Sequence, residues 1–165
     1  KLIRIGELIK TDFSRVTDLV KVWENSGFQT TAYKDISRLV WEKFVCNVTF
    51  SGPCTVFGVT LGELMSTPEY WNIALGCMSE AYELGRRKSI SFSFNDSKKY
   101  VTEFGLRMPN AKPSMLIDHE NKRSSEIGAI NGMVVQLGKI ERVATPYNET
   151  ITAIVTHKEK IVSRA

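Results

Sequence analysis

Hydrophobic positions along this chain follow two different periods. The alternating run LIRIGEL, at residues 2–8, reads as a strand. Over 12–25 the period lengthens. Phe13, Val16, Leu19, Val20 and Trp23 share one face of a helix, with Thr11 or Asp12 placed to cap it and Gly27 to end it. Residues 28–33 return to a short strand. A strand-helix-strand opening looks like the tail of an α/β layer, because two strands alone make a marginal sheet.

From residue 35 the pattern is helical throughout. The segment 35–51, DISRLVWEKFVCNVTFS, places Ile36, Leu39, Val40 and Phe44 on one broad face at about 100° per residue. Arg38 and Glu42 fall opposite, toward water. Lys43 and Asn47 are four residues apart and therefore neighbours, and this phase points both into the apolar arc. Ser51 joins them if the helix continues, and Gly52-Pro53 is expected to close it. Burial on that face would tune a lysine into a proton donor near neutral pH. Snorkelling, with the stem on the core and the head in water, is the bland alternative and carries slightly more weight on local evidence.

Further helices are predicted around 61–65, from Pro68 to about residue 88, from Asn95 to Gly105, and at 115–120. Another is expected to begin at Ser124 or Ser125 and carry Ile127, Ile130, Val134, Leu137 and Ile140. The last starts at Thr145-Pro146 and carries Ile151, Ile154, Val155 and Val162. Between them lies a polar, irregular loop, RMPNAKPS. No internal repeat or low-complexity linker interrupts the series.

The chain has 165 residues, 42% of them hydrophobic, a length that supports a real core in one domain or one domain plus part of another. The net charge of +4 suits an anionic small ligand. Its basic runs are not interleaved with aromatics, so they read as solvated helix faces rather than a nucleic-acid footprint. No stretch reaches the length of a membrane-spanning helix. Cys46, Cys54 and Cys77 are odd in number and lack a CxxC spacing, which argues against a disulfide framework or a zinc site and for a reducing, cytoplasmic setting. No metal site is expected, since His119 and His157 are not at ligand spacing.

Two further residues bear on chemistry. Ser114 opens a short helix, where capping by its hydroxyl is favoured locally over binding a ligand carboxylate. Glu126 falls in the expected first turn of its helix. The helix dipole favours a carboxylate there, and accepting from a substrate or ribose hydroxyl is the functional alternative. A glycine-rich phosphate-binding fingerprint is absent.

Three blocks carry a resemblance: WEKFVCN, then KPSMLIDHENKRSSEIGAINGMVVQLGK, then ATPYNETI. Together they resemble the C-terminal domain of the ketopantoate reductase (2-dehydropantoate 2-reductase) family over about residues 4–154. The second block is the most specific, with S-M-L-x-D and E-I-x-x-I-N-G correctly spaced. The resemblance implies a mostly α, bundle-like domain, similar to the C-terminal domain of 6-phosphogluconate dehydrogenase. It would follow a strand-helix-strand remnant of a Rossmann domain, with 1–33 as that remnant and 34–165 as the helical substrate domain.

The resemblance also implies NADPH-dependent reduction of 2-dehydropantoate, or a related 2-oxo acid, to the 2-hydroxy acid. Lys43 would be the general acid. Asn47, Ser51, Ser114 and Glu126 would be substrate groups, with Glu126 also touching the cofactor. NADP would be held mainly by an N-terminal domain, so this chain alone is expected to be inactive; a homodimer is a possible assembly. A non-enzymatic helical module for dimerisation or ligand capture is the alternative. Two positions depart from the family. Ser51 stands where a second asparagine is common, and Leu61 stands where an asparagine often precedes Gly62-Glu63-Leu64. Both positions are on the substrate side, which leaves the 2-oxo acid open.

Overall fold

The computed structural model describes residues 2–8 and 13–162, which divide into two compact units, one up to Glu42 and one from Lys43 onward. The first unit has two strands, β1 (Leu2–Gly6) and β2 (Gln29–Tyr33), paired in parallel with Leu2 opposite Gln29 and Gly6 opposite Tyr33. Helix α1 (Ser14–Asn25) lies between them in sequence and packs on β2, with Val16 and Val20 buried. Leu19 and Trp23 share its expected apolar face yet stay partly exposed, at 45% and 37%. Gly27 ends the helix at φ +84°, a left-handed conformation that favours glycine. The caps expected at Thr11 or Asp12 lie outside the described residues.

Helix α2 runs over Ser37–Phe57, straight through the Gly52-Pro53 pair that was expected to end it. A proline there removes the amide that would bond the Thr49 carbonyl. Burial outweighs that loss, because Val45, Cys46, Val48, Thr49, Phe50 and Cys54 are all nearly inaccessible. On either side of the proline, Thr49 and Thr55 donate their hydroxyls to the carbonyls of Val45 and Ser51, each at 2.7 Å. Over 48–55 the helix is buried all round, which leaves periodicity no face to report there. At its start one face is open to solvent, and there the predicted phase fails. Glu42 is buried at 8%, Val40 is 46% exposed, and Lys43 is exposed rather than set in an apolar arc.

Around α2 stand α3 (Leu61–Ser66), α4 (Pro68–Arg87), α5 (Ser97–Leu106) and α6 (Ser114–Glu120). A 3-10 turn (Ile127–Ala129) leads into α7 (Asn131–Glu141), and α8 (Pro146–Val162) follows. Helices α4, α7 and α8 pack on one another. Phe50 of α2 stacks on Trp71 of α4 at 5.9 Å and meets Phe104 of α5 at 5.8 Å. The mostly α, bundle-like architecture behind a small α/β piece is therefore as expected.

Buried polar groups set the register of these helices. Asn131, fully buried, donates from Nδ2 to the Val48 carbonyl at 3.1 Å and to Asn148 Oδ1 at 2.9 Å. Asn148 donates in turn to the Cys77 carbonyl at 3.1 Å and to Glu80 Oε2 at 2.6 Å. The Glu80 carboxylate also accepts the backbone amides of Tyr147 at 2.8 Å and Asn148 at 3.0 Å. Those are two of the unpaired first-turn donors of α8, so a side chain on α4 does the work of an N-cap. Through Asn131, α7 is tied directly to α2.

Candidate active site

A pocket of about 170 Å³ lies within the second unit, beside α2. Asn47, half-buried, and Ser51, 5% exposed, contribute from successive turns of α2. Ser114 reaches it from the start of α6, and Glu126 from the residue before the 3-10 turn. Four candidates separated by up to 79 residues in sequence thus line one cavity.

Neither Ser114 nor Glu126 has the local role that favoured it as a merely structural residue. The residue capping α6 is Pro113, and no side chain caps that helix, so the Ser114 hydroxyl is not occupied as an N-cap. Glu126 does not sit in the first turn of a long helix. Helix α7 starts only at Asn131, and the residues before it form the 3-10 turn. Buried Asn131 explains the delay, because its side chain is committed to Val48 and Asn148. Glu126 is left exposed at the pocket wall, where its carboxylate can accept from hydroxyl groups.

Lys43 is one turn N-terminal to Asn47 on α2 and is not among the residues lining the pocket. Its exposure removes the burial on which its reading as a tuned proton donor rested. What remains is adjacency: i and i+4 side chains are neighbours on a helix surface, which sets Lys43 beside Asn47.

The loop before Ser114 is ordered by α3. Leu61 and Gly62 donate their first-turn amides to the carbonyls of Ala111 at 3.1 Å and Pro109 at 2.7 Å. Thr60 and Glu63 close a capping box on the same helix end. Backbone and hydroxyl hydrogen bonds from Thr60 hold the Glu63 carboxyl below its ordinary value. The loop residues Met108, Ala111 and Lys112 are thereby set in the pocket wall. Lys112 is paired with Glu120, and it adds a cation to the pocket that sequence reasoning passed over. The signal was present in its position two residues before Ser114.

The stretch before Glu126 is tied down from α8. Glu159 Oε1 accepts the Ser125 amide at 2.8 Å and the Ser125 hydroxyl at 2.7 Å, and lies 3.1 Å from His119 Nε2. Burial pushes the Glu159 carboxyl up, but the Ser125 hydroxyl, the Ser125 amide and His119 together outweigh it and hold the group below its ordinary value. One carboxylate thus anchors the last turn of α6, which starts with Ser114, and the residue next to Glu126.

The three cysteines are free and buried. Burial, and then the nearby Glu63 charge, push the Cys54 thiol up to about 12; burial with Glu80 raises Cys77 as well. Neither suits a nucleophile. Among the described residues no cluster of His, Cys, Asp or Glu could hold a metal ion, and no helix is long and apolar enough to cross a membrane.

Residues 35–159 match the family model described as ketopantoate reductase PanE/ApbA C terminal. A 2-dehydropantoate 2-reductase of Aquifex aeolicus is 28% identical over 154 residues, which are 91% of this chain and 49% of that protein. The structure of a 2-dehydropantoate 2-reductase from Geobacter metallireducens superposes with a TM-score of 0.82 at 26% identity, over 94% of this chain and 52% of that one. A D-mandelate dehydrogenase solved with NADH and anilino(oxo)acetate shares the fold, with a TM-score of 0.84 at 24% identity over 98% of this chain and 68% of that one. The chain spans about half the length of the curated relatives it matches.

Proposed function

Since the chain belongs to the ketopantoate reductase C-terminal family, we propose that it is the substrate-binding part of an NADPH-dependent reductase. The reaction is reduction of 2-dehydropantoate, or a related 2-oxo acid, to the 2-hydroxy acid. One observation carries this reading: Asn47, Ser51, Ser114 and Glu126 converge on a single pocket from three separate segments. The split at 33/34, with the earlier residues as the tail of a cofactor domain, belongs to the same proposal.

The cofactor, when bound, supplies a hydride to C2 of the oxo acid. Within this chain Glu126 fits a contact to it, being exposed, at the pocket wall and free of a capping role. The remaining work falls to the protein's own side chains. Ser114 donates its hydroxyl to the substrate carboxylate, beside the Lys112–Glu120 ion pair. Asn47 holds the C2 oxygen through its amide. As negative charge develops on that oxygen, the Lys43 ammonium stabilises it and delivers the proton.

The test is Lys43→Ala in the full-length enzyme. Removing a general acid typically lowers the rate by about 10²–10⁴-fold, so kcat should fall by that order. The melting temperature should hold, because an exposed lysine has little packing to lose. Unchanged kcat in a folded variant would defeat the assignment.

A further inference from the structure

We propose that Glu159, which is not part of the pocket wall, is a positioning residue for it: acting through Ser125, it fixes the backbone from which Glu126 reaches a bound ligand. The proposal rests on the reductase reading above and on the place that reading gives Glu126. Its ground is a contrast between two carboxylates. Glu126 is exposed at the pocket wall, and its side chain has no hydrogen bond or ion pair among the described residues. Only its own backbone sets where that carboxylate starts from. Glu159 is the opposite case. Its side chain is 17% exposed, and its Oε1 meets the Ser125 amide, the Ser125 hydroxyl and His119, none of which lines the pocket.

The backbone at Glu126 is held on both sides. After it, the Glu126 carbonyl accepts the amides of Ala129 at 2.9 Å and Ile130 at 3.1 Å. Those bonds are local and shape the 3-10 turn. Ile127, 5% exposed, seats the turn in the core by apolar contact, which has no direction. Ahead of Glu126, Ser125 gives Glu159 both its amide, at 2.8 Å, and its hydroxyl, at 2.7 Å. These bonds are directional. Through them the chain entering the turn takes its orientation from α8, 34 residues on.

Glu159 is itself held. His119, in the last turn of α6, brings its Nε2 within 3.1 Å of the same oxygen. Burial pushes the Glu159 carboxyl up, but the Ser125 and His119 bonds outweigh it, and the group stays ionised at neutral pH. Bonds to a charged acceptor are about twice as strong as neutral ones. Releasing Ser125 would free the Glu126 backbone to shift against α8. A misplacement of about 1 Å in a positioning group can cost about 10²-fold in rate. Helix α6 does not depend on Glu159 in the same way. Met115 and Leu116 are buried and Glu120 is paired with Lys112, so Ser114 keeps its place when Glu159 is truncated.

A double-mutant cycle separates this role from a general contribution to stability. In the full-length enzyme, kcat and KM are measured with NADPH and 2-dehydropantoate for the unaltered protein, Glu126→Ala, Glu159→Ala and the two together. Losing a hydrogen bond to a charged group costs about 10–100-fold, so Glu126→Ala should lower kcat/KM by that order. Glu159→Ala should lower it by a similar factor, through KM rather than kcat, because the misplaced contact is made to bound substrate and transition state alike. In the Glu126→Ala background Glu159→Ala should cost no more than about twofold further, since the group it positions is gone. Glu159→Gln, whose amide oxygen still accepts from Ser125, should stay within about threefold of the unaltered enzyme. If Glu159→Ala does not fold, Ser125→Ala takes its place in the cycle. It removes the hydroxyl bond and leaves the amide, and should give a smaller loss with the same dependence on Glu126. Equal losses in both backgrounds, or no loss in either, would overturn the proposal. So would an unchanged kcat/KM in Glu126→Ala, and these results leave the reductase reading standing. Absence of turnover in the unaltered full-length enzyme would bring down that reading and this proposal together.

Discussion

Glu80→Ala is the perturbation that most directly probes how α8 is held. In the native protein the Glu80 carboxylate accepts three hydrogen bonds, from the amides of Tyr147 and Asn148 and from Asn148 Nδ2. Hydrogen bonds to charged groups contribute about 1.5–3 kcal/mol each, roughly 5–9 kcal/mol gross for three. Truncation relieves part of the cost of keeping a carboxylate away from water, a saving of several kcal/mol. It also leaves two donors at the start of α8 without an acceptor, the buried amide of Asn148 and the part-buried amide of Tyr147. Asn148 Nδ2 still keeps the Cys77 carbonyl. The net expectation is a loss of about 3–4 kcal/mol, within the range for leaving two donors unsatisfied at about 1–3 kcal/mol each. For a chain of this size that lowers the melting temperature by about 6–16 °C. Urea unfolding followed by far-ultraviolet circular dichroism measures it, provided the slope with urea is unchanged. Glu80→Gln, which keeps one acceptor oxygen, should cost less, about 1–3 kcal/mol. A loss for Glu80→Ala below about 1 kcal/mol, the cost of an ordinary N-cap, would refute the idea that this side chain organises the junction of α4 and α8.

Gly52→Ala should destabilise the protein by about 1–3 kcal/mol although alanine is the better helix former. The new Cβ would lie 2.5 Å from both Asn131 Oδ1 and Ile151 Cγ2; a raised melting temperature would contradict this. Glu159 has a native carboxyl value below its ordinary 4.5. Its contribution to stability is therefore present above that pH and lost as pH falls through the native value. The urea midpoints of Glu159→Gln and the unaltered protein should accordingly differ at pH 7 and converge in acid; a gap that persists or widens in acid would be inconsistent with the hydrogen bonds described.

Most helices were legible because their signals are local. Pro68 opens α4, Thr60 and Glu63 cap α3, and Gly27 closes α1, each through groups a few residues apart. The errors occur where distant partners decide. Pro53 reads as a terminator until the burial of α2 on every side is known. The start of α7 is displaced to Asn131 by hydrogen bonds to Val48 and Asn148, far away in sequence. The phase of α2 was misjudged at Lys43 because apolar residues are spread around the helix, so that Glu42 falls on the buried side and Val40 and Lys43 on the exposed one. Helical spacing set the candidates Asn47 and Ser51 on one side of α2, and helix-start positions singled out Ser114 and Glu126, but only the resemblance gathered the four into one site. The other pocket-lining residues, Phe104 and Met108 among them, needed coordinates.

The anchor at Glu159 has a consequence for how freely this part of the chain can change. By holding Ser125, the carboxylate makes the position of Glu126 independent of the path taken from the end of α6 at Glu120. Residues 121–124 are exposed and bond back to the end of α6, Asn121 to Ile117 and Arg123 to Asp118, so they form a surface connector ahead of the anchor. Lengthening a surface connector is cheap, about 0.6 kcal/mol for each doubling. Insertions and composition changes ahead of Ser125 can therefore accumulate without moving the pocket wall. A single residue added after Ser125 would fall between the anchor and Glu126, and would shift Glu126 relative to the pocket wall.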